Sequence, residues 1–351
     1  MAHEQHSGWR KDLAPYERPR TRSSVWQILN TFIPFVTLWY AAYLSLSISY
    51  WITLALGIAA GGFLVRIFII FHDCCHKSFF KNKTANDIVG TLTGILTFCP
   101  YYQWRHSHSV HHATNGNLDK RGVGDIWTLT VEEYVASSPM RRLLYRLYRN
   151  PLLMFTFGPI YIFLIDYRFN RKRAGFHERM NTYVTNLGIA VIAGLLCWAI
   201  GWEAFLLVQA PVFVVSGVAG IWLFYVQHQF EDGYFELEED WNYVRAAMQG
   251  SSYYKLPKWL CWITGSIGFH HIHHLSPRVP NYYLEAAHNA NPLLQQAQTI
   301  TLRTSLRSLQ HRVWNEQSKT FMAFRDIPPE LFQRHRAGKA ARARARVESG
   351  R

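Results

Sequence analysis

Long apolar runs separated by polar and basic stretches set the plan of this chain. Runs at 26–46, 50–71, 183–201 and 204–226 are each close to the roughly 20 residues that carry a helix across a hydrocarbon core of about 30 Å. The linkers inside each pair, Ser45 to Ser49 and Gly201 to Glu203, are short and almost uncharged, so each pair reads as a helical hairpin. Two weaker runs, 88–102 and 152–165, are short for a span, and each holds a proline, Pro100 and Pro159. They read as interfacial or re-entrant helices that tie a cytosolic cap to the bilayer. The expected fold is an all-α integral membrane protein with four transmembrane helices in two hairpins and a cytosolic helical cap. A basic segment at 1–24, a membrane domain at 25–300 and a basic segment at 301–351 complete the division. Arg66 interrupts the second run; an intramembrane charge asks for a role, and snorkelling or structural pairing is the plain one.

Charge then orients the hairpins. Lys and Arg number 37 against 23 acidic residues, a formal net charge of +14. The basic residues gather before the first run (Arg10, Lys11, Arg18, Arg20, Arg22), in the middle (Arg168 to Arg173) and in the carboxy-terminal third, and neither linker carries one. By the positive-inside rule both termini and the central region face the cytoplasm. Every histidine cluster then lies on that one face. With such apolar runs the excess charge suits anionic lipid and not nucleic acid. The first 24 residues hold no apolar core of a cleavable signal. The Arg/Ala-rich tail from Arg334 reads as disordered and drawn to headgroups. The cysteines Cys74, Cys75, Cys99, Cys197 and Cys261 form no CxxC pair and read as reduced and packed.

The candidate chemistry is in the histidines, 17 in all. They concentrate in His72-Asp-Cys-Cys-His76, His108-Ser-Val-His111-His112 and His270-His271-Ile-His273-His274. Neutral imidazole is the commonest metal ligand and suits iron, zinc and copper. On a helix, positions four apart share a face, whereas adjacent ones diverge by about 100°, so one short helix can serve two neighbouring metals. His72, His76, His108, His111, His112, His270, His273 and His274 exceed one coordination sphere, and two metals is the economical reading. His228 ends the fourth run at the depth of His72 and is a ninth candidate. Asp73, His106, Asp125, Glu231 and His271 are candidates for the outer shell that orients ligands, and Asp119 lies close enough in sequence to join them. His3, His6, His177, His311 and His335 read as solvated, and His288 as a bystander.

These boxes, with Trp104 before the second, Thr114-Asn-Gly116 after it, and Gly268-Phe before and Leu275-Ser-Pro277 and Pro280-Asn-Tyr282 after the third, resemble the membrane fatty acid desaturases. The likeness is to the acyl-lipid type, which includes omega-6 (delta-12) and Bacillus-type delta-5 enzymes, and it covers about 25–300. It implies a non-haem diiron site (two Fe ions) at the cytosolic membrane face. It also implies O2 and two electrons as co-substrates, and a cis double bond made in an acyl lipid. Such C–H bonds are too inert for acid–base chemistry, so the metal must supply the oxidant. Cys75 stands where many relatives have Gly, and Phe224 where the animal acyl-CoA enzymes carry an Asn ligand. No His-Pro-Gly-Gly haem signature occurs, so electrons are expected from a separate ferredoxin, flavodoxin or cytochrome b-type donor. Diiron hydroxylases and ketolases of lipids are the rival enzymes, with different box spacings. A non-enzymatic lipid-binding protein would not need eight histidines at ligand spacing.

Overall fold

The computed structural model describes residues 8–348; the expectation for His3 and His6 falls outside them. Long helices α1 (Thr21–Ser45) and α2 (Tyr50–Cys75) form the first hairpin. Two shorter helices follow, α3 (Lys83–Leu96) and α4 (Tyr101–Thr114). The 152–165 run becomes α5 (Pro151–Pro159), capped by the Asn150 side chain, and a π-helical segment, Ile160–Ile165. Helices α6 (Phe176–Ile200) and α7 (Trp202–His228) make the second hairpin. The third box is the short α8 (His270–Leu275), followed by α9 (Asn281–Ala290), and the chain ends in α10 (Pro329–Glu348). Among the described residues, α1, α2, α6 and α7 are the helices long and apolar enough to cross a membrane, as the hydropathy pattern requires.

From Arg334 the chain continues α10 to Glu348. Ala and Arg are strong helix formers, which suits this run. Short strands were not foreseen. Tyr253–Lys255 pairs parallel with Thr299–Thr301, and Val313–Asn315 pairs antiparallel with Thr320–Met322.

Close helix contact rests on small residues, the usual device between membrane helices. A Cβ added at Gly61 of α2 would lie 2.8 Å from Val215 Cβ of α7, and one at Gly57 would lie 3.0 Å from Pro211 Cβ. Gly61→Val therefore pushes α2 from α7 and destabilises by about 1–3 kcal/mol. Gly194→Val, whose Cβ has nothing within 4 Å, is the neutral control. Thermal melts of the two variants in detergent check this.

Arg66 is not a free charge in the apolar layer. Its Nε donates to Thr31 Oγ1 at 3.1 Å, its Nη1 meets the Trp262 carbonyl, and its guanidinium lies 4.1 Å from the Trp262 ring. Pairing, not snorkelling, accounts for it. Arg149, fully buried, ties the carboxy-terminal region to the bundle through Gln229 Oε1 and the His311 carbonyl, both at 2.6 Å.

Candidate metal centre

Each box is held by contacts with its own surroundings. The first box ends α2. The turn between α3 and α4 is tight enough that Tyr101 fills the space a side chain at Gly90 would need. Tyr101 Oη donates to the Cys74 carbonyl at 2.7 Å, which sets the start of α4 against the first box. Tyr102 N donates to Asn181 Oδ1 of α6 at 3.2 Å. The third box is held by Gln227 Nε2 on the Ile267 carbonyl at 2.8 Å, by Tyr254 N on the Gly268 carbonyl at 2.7 Å, and by Tyr243 Oη on the His274 carbonyl at 2.6 Å.

All three boxes and His228 meet at one end of the bundle, and the rings sort into two groups. His72, His76, His108, His112 and His273 form one, and His111, His228 and His274 the other. His270 joins the second, its Nε2 3.0 Å from His228 Nε2 and 3.2 Å from His274 Nε2. The adjacent pairs divide as helix geometry dictates. His112 and His273 face the first group, with their Nε2 atoms 3.0 Å apart, while His111 and His274 face the second. The stacked rings of His112 and His274, 4.1 Å between centroids, form the seam. This meeting excludes any topology in which the boxes fall on opposite faces.

The donor set fits cations. His111 Nδ1 lies 2.5 Å from Asp125 Oδ1, and His228 Nδ1 lies 3.2 Å from the Gly250 carbonyl. Both acceptors call for a proton on Nδ1, which leaves each Nε2 with a lone pair. Those two Nε2 atoms are 3.2 Å apart. Facing lone pairs repel at that distance unless a cation joins them. His108 Nε2 is crowded as well, at 3.1 Å from both His72 Nε2 and His112 Nε2, and a proton on it can serve only one of them. The Nε2 of His76 is buried without a hydrogen-bond partner among the described residues.

Burial pushes the pKa values of His76, His108, His112, His270, His273 and His274 well below the ordinary histidine range, with neighbouring histidines adding to the shift. Neutral rings are the form that binds metal. A lowered folded pKa has a stability consequence of fixed sign. As pH falls through the unfolded value near 6.5, the unfolded chain takes up protons that the fold refuses. Metal-stripped protein is therefore expected to melt several degrees lower at pH 5.5 than at pH 7.5, measured by thermal denaturation in chelator.

The outer groups are placed unevenly. Asp73 Oδ1 lies 3.2 Å from His72 Nδ1, and its Oδ2 accepts from both Asn281 N and Asn281 Nδ2 at 2.7 Å. Asn281 Oδ1 in turn accepts from Gln27 Nε2 of α1 at 3.0 Å. The sequence reading missed Asn281 and Gln27; the Pro280-Asn281-Tyr282 motif was the available signal. Asp125 holds His111. His106 and Glu231, by contrast, are exposed and make no contact with the rings, because each points from its segment toward solvent. Asp119 is occupied by the Glu238 backbone amide at 2.8 Å. His271 is fully buried behind the site, beside His288 at 5.4 Å between rings, and burial holds it at a pKa of about 3. His288 is buried too, and His311 is half-buried, not solvated, whereas His177 and His335 are exposed. Phe224 packs on His111 and His228 at 5.2 and 5.1 Å, an apolar wall and not an amide ligand.

A cavity of about 650 Å³ runs from the rings down between α2, α5 and α7, within the usual range for a ligand site. His72, His108 and His270 close its upper end, and Phe163 and Phe213 stand at its lower end.

The family model described as fatty acid desaturase matches residues 49–304. A protein of Bacillus subtilis (strain 168) named fatty acid desaturase is 59% identical over 338 residues, covering 94% of this chain and 96% of that one. The chloroplastic omega-6 fatty acid desaturase of Arabidopsis thaliana is 31% identical over 245 residues, 66% of this chain and 51% of its own, so the chain spans about half of that relative's length. The sn-1 oleoyl-lipid 12-desaturase of Synechocystis is 29% identical over 239 residues, covering 66% of this chain and 65% of its own.

Proposed function

The chain belongs to the fatty acid desaturase family, and from that premise we propose that it makes a cis double bond in an acyl chain of a membrane lipid, at two iron ions held by histidine. It is an oxidoreductase by family, and lipid and O2 are the substrates the family implies. The observation that carries the finer reading is the sorting of the rings into two groups around a shared seam. His72, His76, His108, His112 and His273 are assigned to one iron, and His111, His228, His270 and His274 to the other. When bound, the iron pair supplies from O2 and two electrons the oxidant that removes hydrogen from an unactivated methylene.

The protein's own part is positional. The mainly apolar walls take the acyl chain out of lipid at little desolvation cost, since Asp125, Asp166, Ser216 and Gln227 are among the few polar residues of the lining. His72 and His270, one from each group, both face the cavity, so a methylene at its upper end lies beside both assigned sites. Phe224 and Trp104 keep water from the rings; Trp104 stacks on His108 at 4.1 Å. Asp73 and Asp125 fix the tautomers of His72 and His111 so that Nε2 faces inward. Expression in a host without polyunsaturated lipids, with gas chromatography and double-bond localisation, tests the reading. A lipid profile unchanged by the expressed, iron-loaded protein contradicts it; a hydroxylated product replaces it with the rival oxidation.

Asn281 gives a subtler prediction. Asn281→Ala removes a hydrogen bond from Asp73 and loosens His72, and is expected to weaken iron binding about 10-fold. In an Asp73→Ala background the same change should add little, a non-additivity readable in iron titrations.

Electrons are assigned to a separate acidic donor, a ferredoxin, a flavodoxin or a cytochrome b-type protein, drawn to the basic face. Its turnover should fall as ionic strength rises from about 10 to 200 mM; a flat salt profile removes the steering.

A further inference from the structure

Some residues of the cavity wall are exposed on the outside of the molecule as well. Tyr148, Phe157 and Tyr161 all line the cavity, yet they are 40%, 63% and 58% exposed. A side chain that faces both an internal cavity and the outer surface stands at the rim of an opening. Its depth follows from α7. Phe155 packs on Trp222 and Tyr225, a Cβ at Gly217 would touch Pro159, and Phe163 packs on Phe213. α5 and the π-helical segment therefore descend beside α7 from near His228 toward the middle of that helix. Phe157 and Tyr161 lie along the descent, where an apolar helix long enough to span would meet hydrocarbon. No residue of the Ile160–Ile165 segment is buried. Pro159 precedes it, and single π turns of this kind recur at functional sites.

The helix above the opening, Pro139–Tyr148, is amphipathic in the matching sense. Its outer side exposes Met140, Leu143 and Leu144. Its basic side is fastened to the cap: Arg146 Nε donates to Tyr134 Oη at 2.6 Å, and the Arg142 guanidinium lies 5.3 Å from the Phe332 ring. A helix with one apolar and one basic side lies in the interface plane of a membrane. Its last residues, Leu147 and Tyr148, are also cavity wall.

We propose that the gap bordered by Tyr148, Phe157 and Tyr161 is a lateral portal through which a phospholipid of the bilayer lays its acyl chain into the cavity, with the Pro139–Tyr148 helix resting at the membrane surface as its upper edge. The proposal rests on the acyl-chain reading of the cavity and narrows it. The substrate stays esterified in the bilayer and moves sideways, and a soluble thioester arriving through the cytosolic cap does not use this route. Bilayer lipid is the occupant because the exposed apolar residues of the helix, of α5 and of the π-helical segment continue the exposed apolar surface of the long helices.

The test uses the full chain, with Cys197→Ser and Cys261→Ser to remove the half-exposed thiols, and Leu143→Cys or Tyr161→Cys to take a fluorophore. In phosphatidylglycerol vesicles, nitroxide-labelled phospholipid should quench both positions, shallow labels favouring 143 and deeper labels 161, with aqueous iodide weak at 161. Quenching at 161 by iodide and not by lipid overturns the portal. Alkylating the Tyr161→Cys protein with a bulky maleimide should then slow desaturation of vesicle phospholipid at least 10-fold relative to the same protein unalkylated. An unchanged rate, or activity confined to a soluble acyl thioester, also overturns it. A protein that forms no double bond before alkylation speaks against the desaturase reading itself, and the quenching arm still judges the portal.

Discussion

His273→Ala is expected to abolish double-bond formation and to take one iron from the purified protein, while the chain still inserts and folds. Its ring is almost fully buried, its Nε2 sits 3.0 Å from His112 Nε2, and it lies 4.3 Å from the His72 ring. It thus links the third box to the first and second at the centre of the five-ring group. Among the described residues its nitrogens make no contact beyond the rings, and the replacement removes one of the crowded rings. The loss is one of function and metal, with little loss of stability. His111→Ala is its counterpart in the second group and should leave the five-ring group loaded. Iron per chain by elemental analysis and lipid profiles by gas chromatography check both; a variant that desaturates normally removes that residue from the ligand set.

Asp125→Ala is expected to weaken metal binding at the second group by about 10–100-fold, the usual effect of removing a carboxylate behind a ligating histidine. The carboxylate at 2.5 Å is the acceptor that fixes the His111 tautomer. Without it Nδ1 and Nε2 compete for the proton, and part of the population presents an N–H to the metal. Asp125→Asn, which retains a carbonyl acceptor, should recover part of the affinity. Iron titration with a spectroscopic readout distinguishes the two, and equal affinities for all three proteins would remove Asp125 from the site.

The long helices and the boxes were legible for one physical reason: both depend on local pattern. Apolar length specifies a span, and ligand spacing on a helix specifies which rings can share a metal, so the division of His111 from His112 and of His273 from His274 followed from helical angle alone. His228 was found by its depth in the fourth run. What sequence could not supply depends on where side chains far apart in the chain meet. Asn281 reaches Asp73 across 208 residues, and the Pro280-Asn281-Tyr282 motif marks the residue without saying which carboxylate it meets. His106 was suspected for nearness to a box, but on a helix it faces away from His108. Glu231 follows His228 by three residues, yet the chain leaves α7 between them. The cavity is invisible to any linear reading, since α2, α5 and α7 each contribute only part of its wall.

The central claim is that the two histidine groups hold two irons that together perform the desaturation. Metal analysis of the active, purified chain tests it most directly. Two irons per chain, falling to about one in both His273→Ala and His111→Ala with activity lost in each, is the expected result. Full desaturation by a protein holding one metal or none would contradict it.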